Sequence, residues 1–331
     1  MRSRRTNQLI LAHSVGFTLV TLVLAATAGV RVRFTPKFVP GEVLRYRIES
    51  RTTTTGKTTT PIVNPEGGSQ STQAIHMVVR LNTLGVTPSG EVRFRATYEK
   101  SSAESESDAL DLSASSFADQ YNGFEGRSVE LTMEPGGQFT DLQAGATTPA
   151  GRPTPSNEPG DDPVLALLQG LSLGGLLPAR GVAVGEKWTS EQPIAGALLS
   201  GLIRRTESSY LRNEPCDSSA GSKASASESG VRADDCAVIL THFEIIRRGS
   251  THSDATPDDY RRNGLRTSGT WTGSGESLDS ISLSTDLLIT STHTSTQEMD
   301  YQITSASTGS SIHHVGKVQS QSEISLVRDQ P

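Results

Sequence analysis

After Pro40-Gly41-Glu42, Leu44, Tyr46 and Ile48 alternate with Arg45, Arg47 and Glu49. A period of two sends apolar side chains to one face of an extended chain and charged ones to the other, as in a half-buried antiparallel strand. The period returns at Val92, Phe94, Ala96 and Tyr98 within residues 91–100, and residues 74–84 read as the strand before them, joined through Thr87-Pro88-Ser89-Gly90. Residues 127–133 and 138–142 flank Pro135-Gly136-Gly137, a hairpin signal. Residues 182–188, the neighbours of Tyr210, and residues 237–247, 265–279, 287–304 and 312–327 also read as strands, several longer than the usual length of about five or six residues. Long strands with Ser/Thr faces predict a mainly β (α+β) fold, a long, curved antiparallel sheet or open barrel with one or two covering helices.

Two stretches lack this period. Residues 51–73, rich in Thr, Gly and Pro, read as a loop, and residues 144–162 as a Pro/Gly/Thr linker. The linker ends at Asp161-Asp162-Pro163, a helix start with proline in the first turn. Val164, Leu165, Leu167, Leu168 and Leu171 follow at helical spacing until Gly174-Gly175 and Pro178 end the run. A stripe about 100° wide would seat a helix on a sheet, and these side chains exceed it. The expectation is a covering helix whose surplus face borders an apolar ligand, with Val164, Leu165, Leu168, Leu171, Trp188 and Trp271 lining the site. The plainer alternative is a helix packed on the sheet, with the two tryptophans as core anchors.

Ahead of the first strand, Arg2, Arg4 and Arg5 precede an uncharged apolar run from Leu9 to Leu24, and Ala26-Thr27-Ala28 supplies the small-x-small pattern of a signal-peptidase site. Residues 1–28 are therefore predicted to be a signal peptide cleaved after Ala28, leaving an exported, periplasmic or extracellular chain with no membrane span. An uncleaved anchor is the alternative, and it too would put the remainder outside. Ser3-Arg4-Arg5 suggests the twin-arginine route, whereas Asn7 and Gln8 suit general secretion, and both routes stay open. Residues 29–331 read as a single β-rich domain. The recurrence of Val39-x-Gly41-Glu42 as Val184-Gly185-Glu186 allows two similar halves, about 38–143 and 182–327, joined by the linker and helix of residues 144–181.

Composition narrows the partners. The net charge of −6, from 30 basic and 36 acidic residues, becomes −9 once a signal with three Arg and no acid is removed. An acidic chain without a basic cluster argues against nucleic acid and anionic membrane surfaces. Ser and Thr make up 79 of 331 residues, as suits a sheet with polar outer faces. Cys216 and Cys236 are the two cysteines, and in an exported chain they are expected to form a disulfide across the base of a Ser/Ala/Gly-rich loop. Two free thiols are the alternative.

The sequence has no H-E-x-x-H, no phosphate loop and no dinucleotide fingerprint. Gly269, Gly273 and Gly275 alternate along a strand and suggest close packing. His313 and His314 are adjacent, so on a strand they face opposite ways and cannot share a metal ion. The pairs Asp161-Asp162, Asp234-Asp235 and Asp258-Asp259 read as caps or solvated turns. No catalytic residue, metal or cofactor is expected.

Pro40-Gly41-Glu42 with Leu44 and Tyr46, Leu177-Pro178 leading to Val184-Gly185-Glu186 and Trp188, and Gly269, Gly273 and Gly275 with Leu278-Asp279 resemble the recurring marks of an uncharacterised bacterial family. Its members are secreted or lipid-anchored β-rich proteins carrying a domain of unknown function. The resemblance covers most of the mature chain and implies no activity and no catalytic residues. Members often carry a lipid-attachment cysteine, which this chain does not have near Ala28. The layout is also similar in outline to periplasmic lipoprotein carriers, whose curved antiparallel sheet with covering helices holds acyl chains, a likeness of fold alone. Two functions follow as expectations. One is an exported, non-catalytic protein that binds an apolar or lipid-like ligand. The other is a structural or protein-interaction module of the cell envelope that presents its Ser/Thr faces to an envelope protein. Terminal sequencing of the exported form is expected to begin at Gly29, and a start upstream of Leu9 would refute the cleavage.

Overall fold

The structure is a computed structural model and describes residues 31–59, 68–108, 117–119, 121–135, 139–143, 177–178, 180–194, 197–216, 234–248 and 255–327. Eleven strands form one sheet. The first five are β1 (Val43–Thr59), β2 (Ser69–Val86), β3 (Val92–Ser107), β4 (Ser128–Met133) and β5 (Phe139–Gln143). The rest are β6 (Lys187–Pro193), β7 (Leu202–Pro215), β8 (Asp235–Arg247), β9 (Leu265–Ser282), β10 (Leu288–Ser305) and β11 (Ser311–Val327). A single turn of helix, α1 (Asp258–Arg262), buries no residue.

Every strand pairs antiparallel with its neighbours in sequence, with two exceptions. β5 and β6 do not pair, and β1 pairs with β11, from Arg45↔Val327 to Thr59↔His313. The sheet is therefore open, in the order β5-β4-β3-β2-β1-β11-β10-β9-β8-β7-β6. The mainly β, antiparallel and open architecture expected from the alternation is present. The helix expected from residue 164 lies outside the described residues.

The loop reading of residues 51–73 fails at 51–59 and 69–73, and residues 60–67 lie outside the described residues. β1 runs through the Thr-rich stretch to Thr59, and β2 already begins at Ser69, pairing Gly56 with Ser69. Thr carries no apolar alternation, yet its branched side chain suits a pleated backbone. Thr53 and Thr72 hydroxyls meet across β1 and β2 at 3.3 Å, and Thr52 meets Ser320 of β11 at 3.2 Å.

Curvature has an identifiable cause. Residues 31–38 run across one face of the sheet, where Phe34 packs on Tyr210 of β7 with ring centroids 6.1 Å apart, and Phe38 packs edge-on to Phe94 of β3 at 4.8 Å. Seven strand-to-strand steps separate β3 from β7, or about 34 Å in a flat sheet. Four residues of extended chain span at most about 14 Å. The sheet must therefore curl around this segment, and the face it touches is concave. That inner face holds the core. One cluster contains Leu44, Tyr46, Val79, Phe94, Tyr98 and Leu131, and a second contains Val182, Trp188, Tyr210, Ile239, Ile281 and Leu288. Tyr46 Oη donates to the Leu288 carbonyl at 3.0 Å and ties the two together.

Two turns that enter the sheet are alike bond for bond. In residues 39–42, Glu42 N donates to Val39 O (2.9 Å) and Val39 N to Glu42 Oε2 (3.1 Å). In residues 183–186, Glu186 N donates to Ala183 O (2.9 Å) and Ala183 N to Glu186 Oε2 (3.1 Å). Gly41 and Gly185 sit at φ 83° and 85°, the left-handed region that favours glycine.

Cys216 and Cys236 form the expected disulfide, with Cα atoms 4.9 Å apart, packed against Ile289. Cross-linking a ring of this size stabilises the fold by about 3 kcal/mol through the unfolded chain. The double variant Cys216→Ala/Cys236→Ala is expected to lose about that much in urea unfolding. An unchanged midpoint would show that the bridge contributes nothing.

Candidate functional site

The ladder registers assign each strand residue to a face. On β1, β2, β3, β10 and β11 no Asp, Glu, Lys or Arg falls on the inner face. Inner positions of β1, for example, read Leu44, Tyr46, Ile48, Ser50, Thr52, Thr54, Gly56 and Thr58. Those of β10 read Ser291, His293, Ser295, Gln297, Met299, Tyr301 and Ile303. The outer face takes the charges, many of them paired, as in Arg45–Glu99 at 3.0 Å and Arg95–Glu130 at 2.6 Å. The Arg95 hydrogen bond holds the Glu130 carboxyl below the ordinary range.

Along the inner face the side chains change character. At the end nearest residues 31–38 they are large and buried. Further along β1 and β11 they become Ser, Thr and Gly, with half-buried Val318, Met299 and Ile303 among them. Trp271 and Tyr301 pack at the margin of a third cluster formed by Leu199, Leu202, Phe243, Ile245 and Ala255, and Trp271 Nε1 donates to Gln297 Oε1 at 3.0 Å. The two tryptophans thus lie in separate clusters, Trp188 in the buried second one. Val164, Leu165, Leu168 and Leu171 lie outside the described residues.

Between the second and third clusters lies a polar group that sequence reading did not assemble. Asp279 of β9 is buried, and both its carboxyl oxygens are engaged: Ser291 Oγ donates to Oδ1 at 2.6 Å and Ser277 Oγ to Oδ2 at 3.1 Å. Burial raises its pKa, against the lowering by the two serines and by the charge of Arg204. Arg204 of β7 holds its guanidinium carbon 4.2 Å from the centre of the Phe243 ring. Its Nε is buried without a hydrogen-bond partner. On the same ring, His293 stacks with centroids 5.5 Å apart and planes 4° from parallel. Burial first, and the Arg204 charge second, lower the His293 pKa. Gly275 makes room for this stack, since a Cβ there would meet Phe243 Cε1 at 2.5 Å. Ser208 and Thr241 hydroxyls meet beside it at 2.9 Å, and Ser190 and Thr206 at 2.8 Å. Single residues signalled none of this. Arg204 and Asp279 become conspicuous only as charges on the inner face, which needs the register.

His313 and His314 do face opposite ways. His313 Nε2 lies 2.8 Å from Asp300 Oδ1 on the outer face, and His314 Nδ1 lies 2.9 Å from Thr58 Oγ1 on the inner. Asp258 and Asp259 open α1 and pair with Arg261 and Arg262. Asp234 accepts from Ser282 Oγ at 2.5 Å, and Asp161-Asp162 lies outside the described residues. No group of three His, Cys, Asp or Glu gathers as a metal site among the described residues. The outer face carries an open hollow of about 680 Å³ over β8–β11 and β1, lined by side chains that include Arg51, Thr53, His242, Glu276, Thr294 and Gln319.

No family model and no curated protein matches the chain. Among solved structures it is similar to one described as lipid-protein interactions in lipovitellin, at 11% identity and a TM-score of 0.39, over 89% of this chain and 26% of that one. The chain thus spans about a quarter of the lipovitellin chain's length. It is also similar to the outer membrane protein OprG from Pseudomonas aeruginosa, at 5% identity and a TM-score of 0.17, over 90% of this chain and 98% of that one. Scores this low carry no argument about ligand or role.

The raised Asp279 pKa has a testable sign. A carboxyl that is easier to protonate in the folded state adds stability below its unfolded pKa, about 3.9, and that stability is lost as pH rises through the folded value. Asp279→Asn removes the ionisation and leaves the neighbouring Arg204 and His293 in place. The variant's melting temperature relative to wild type is expected to rise between pH 4 and pH 7. An equal difference at both pH values would show that burial does not penalise the Asp279 carboxylate.

Proposed function

We propose that this is an exported, non-catalytic protein that binds an apolar, lipid-like ligand along the concave face of its sheet. The carrying observation is the partition of charge. Five long strands place no Asp, Glu, Lys or Arg on the inner face, while the same strands place them along the outer one. Solvent tolerates either kind of face, so a surface facing only water needs no such sorting. A face that meets a low-dielectric content must exclude unpaired charge, because an ion there loses its hydration.

The disulfide suits an oxidising compartment outside the cytosol. No helix among the described residues is long and apolar enough to cross a membrane. Charges on the outer face run against the apolar-out band of a membrane-spanning barrel. Met299, between Trp271 and Gly316 in the ladder, marks the uncharged floor that would receive acyl chains. The likeness to lipovitellin adds nothing to this reading.

A second reading, an interaction module of the envelope, draws on the outer hollow, whose Ser, Thr and Gln side chains offer hydrogen bonds to a polar partner. The two readings use opposite faces and separate experimentally. Parinaric acid, whose fluorescence rises in apolar surroundings, is expected to bind the wild type. Met299→Asp is expected to weaken it at least about tenfold, the scale of desolvating one added carboxylate, with an unchanged circular dichroism spectrum. No fluorescence rise with wild-type protein overturns the lipid reading.

A further inference from the structure

We infer that the ligand of the concave face is an anionic single-chain amphiphile, and that Arg204 takes its acidic head group while the chain lies along the uncharged floor. The inference rests on the lipid reading above and narrows it. Arg204 is the one basic side chain among the inner positions of the described strands, apart from Arg247 at the end of β8, whose Nε already donates to Ser200 O at 3.2 Å. Arg204 is half-buried, with its Nε fully buried. It feels the Asp279 charge but closes no ion pair or hydrogen bond with another described residue. Its contact with Phe243 favours the positive charge but accepts from none of its N–H donors, and Nε is left without a partner. Asp279, the nearby acid, accepts from Ser277 and Ser291 and acts on Arg204 through its charge, without a direct ion pair.

The surroundings fit a head group placed between two apolar zones. On one side stand Tyr210, Ile239 and Leu288, and on the other Ile245, Leu202 and the margin at Trp271. His293 stacks on the same Phe243 ring and adds one imidazole to the surroundings. A carboxylate or a phosphate monoester would accept from the guanidinium fork, and either can terminate an acyl chain. A neutral head group could accept one of these hydrogen bonds but would not neutralise the charge.

Parinaric acid and its methyl ester share one chromophore and differ only in the charge of the head. Wild-type protein is expected to bind the acid about tenfold or more tightly than the ester, the range of a charge-assisted hydrogen bond. Arg204→Gln is expected to lower the acid to the level of the ester and to leave the ester unchanged. Arg204→Lys, which keeps the charge but not the fork, should retain part of the preference, and so shows that a loss in the glutamine variant is not misfolding. Displacement by tetradecanoate or by tetradecyl phosphate, against tetradecanol, tells which acidic head is preferred. Equal affinity for acid and ester in the wild type overturns the inference but leaves the lipid reading standing. So does an Arg204→Gln variant that weakens both ligands alike, or displacement by inorganic phosphate as effective as by the alkyl phosphate. Failure of wild type to bind either chromophore removes the lipid reading itself.

Discussion

Phe34 against Tyr210 and Phe38 against Phe94 are the contacts on which the rest of the molecule depends. A twisted antiparallel sheet of eleven strands has no intrinsic reason to close on itself tightly. Here a short extended segment touches strands seven steps apart, and the sheet bends to meet it. Bending gives the sheet an inside. Side chains alternating along each strand then divide into those that share that inside and those that meet water.

The division of charge follows from this. On the outside, Arg45, Arg80 and Glu99 form a small network across three strands, with N–O distances of 3.0 and 3.5 Å to the glutamate. Exposed pairs of this kind contribute only about 0–1 kcal/mol each. Their consequence is solubility and register more than stability. On the inside, polar groups are tolerated when they satisfy one another, as Ser208 does with Thr241. Asp279 follows that rule through its two serines, whereas Arg204 departs from it. Thr83 Oγ1 and Ser105 Oγ are also buried without a partner, but Arg204 is the charged member of the three, where function can compete with stability.

Much of the sheet could be read from the sequence. Alternation at Leu44, Tyr46 and Ile48 and at Val92, Phe94, Ala96 and Tyr98 locates β1 and β3, and Pro135-Gly136-Gly137 lies between β4 and β5. The disulfide followed from two cysteines and an exported context. Where the pattern had no apolar half it gave no signal, and so residues 51–59 and 69–73 read as loop although they pair in the ladder. The aromatic residues of 31–38 also escaped notice, because their partners are remote in sequence. Of the expected ligand-lining set, Val164, Leu165, Leu168 and Leu171 lie outside the described residues. Trp188 is fully engaged in the core and Trp271 sits at a margin, whereas the Arg204–Phe243–His293 stack needed three registers before its members could be seen as neighbours.

The pairing of β1 with β11 has a consequence for the order of events in folding. Arg45 and Val327 are partners about 280 residues apart, while most other strand pairs join near neighbours in the chain. A polypeptide delivered from its N-terminus can assemble β1 to β5 as hairpins early, and β6 to β11 later. The central seam waits for the final strand, and closing so long a loop carries the largest chain-entropy cost in the sheet. Until then β1 is an exposed edge, and exposed edges recruit wrong partners. Arg45, Arg47, Glu49, Arg51 and Lys57 line that edge, followed in part by a run of threonines. A waiting strand with this sequence is a poor nucleus for aggregation, so the residues that keep the finished outer face wet also guard the chain while it is incomplete.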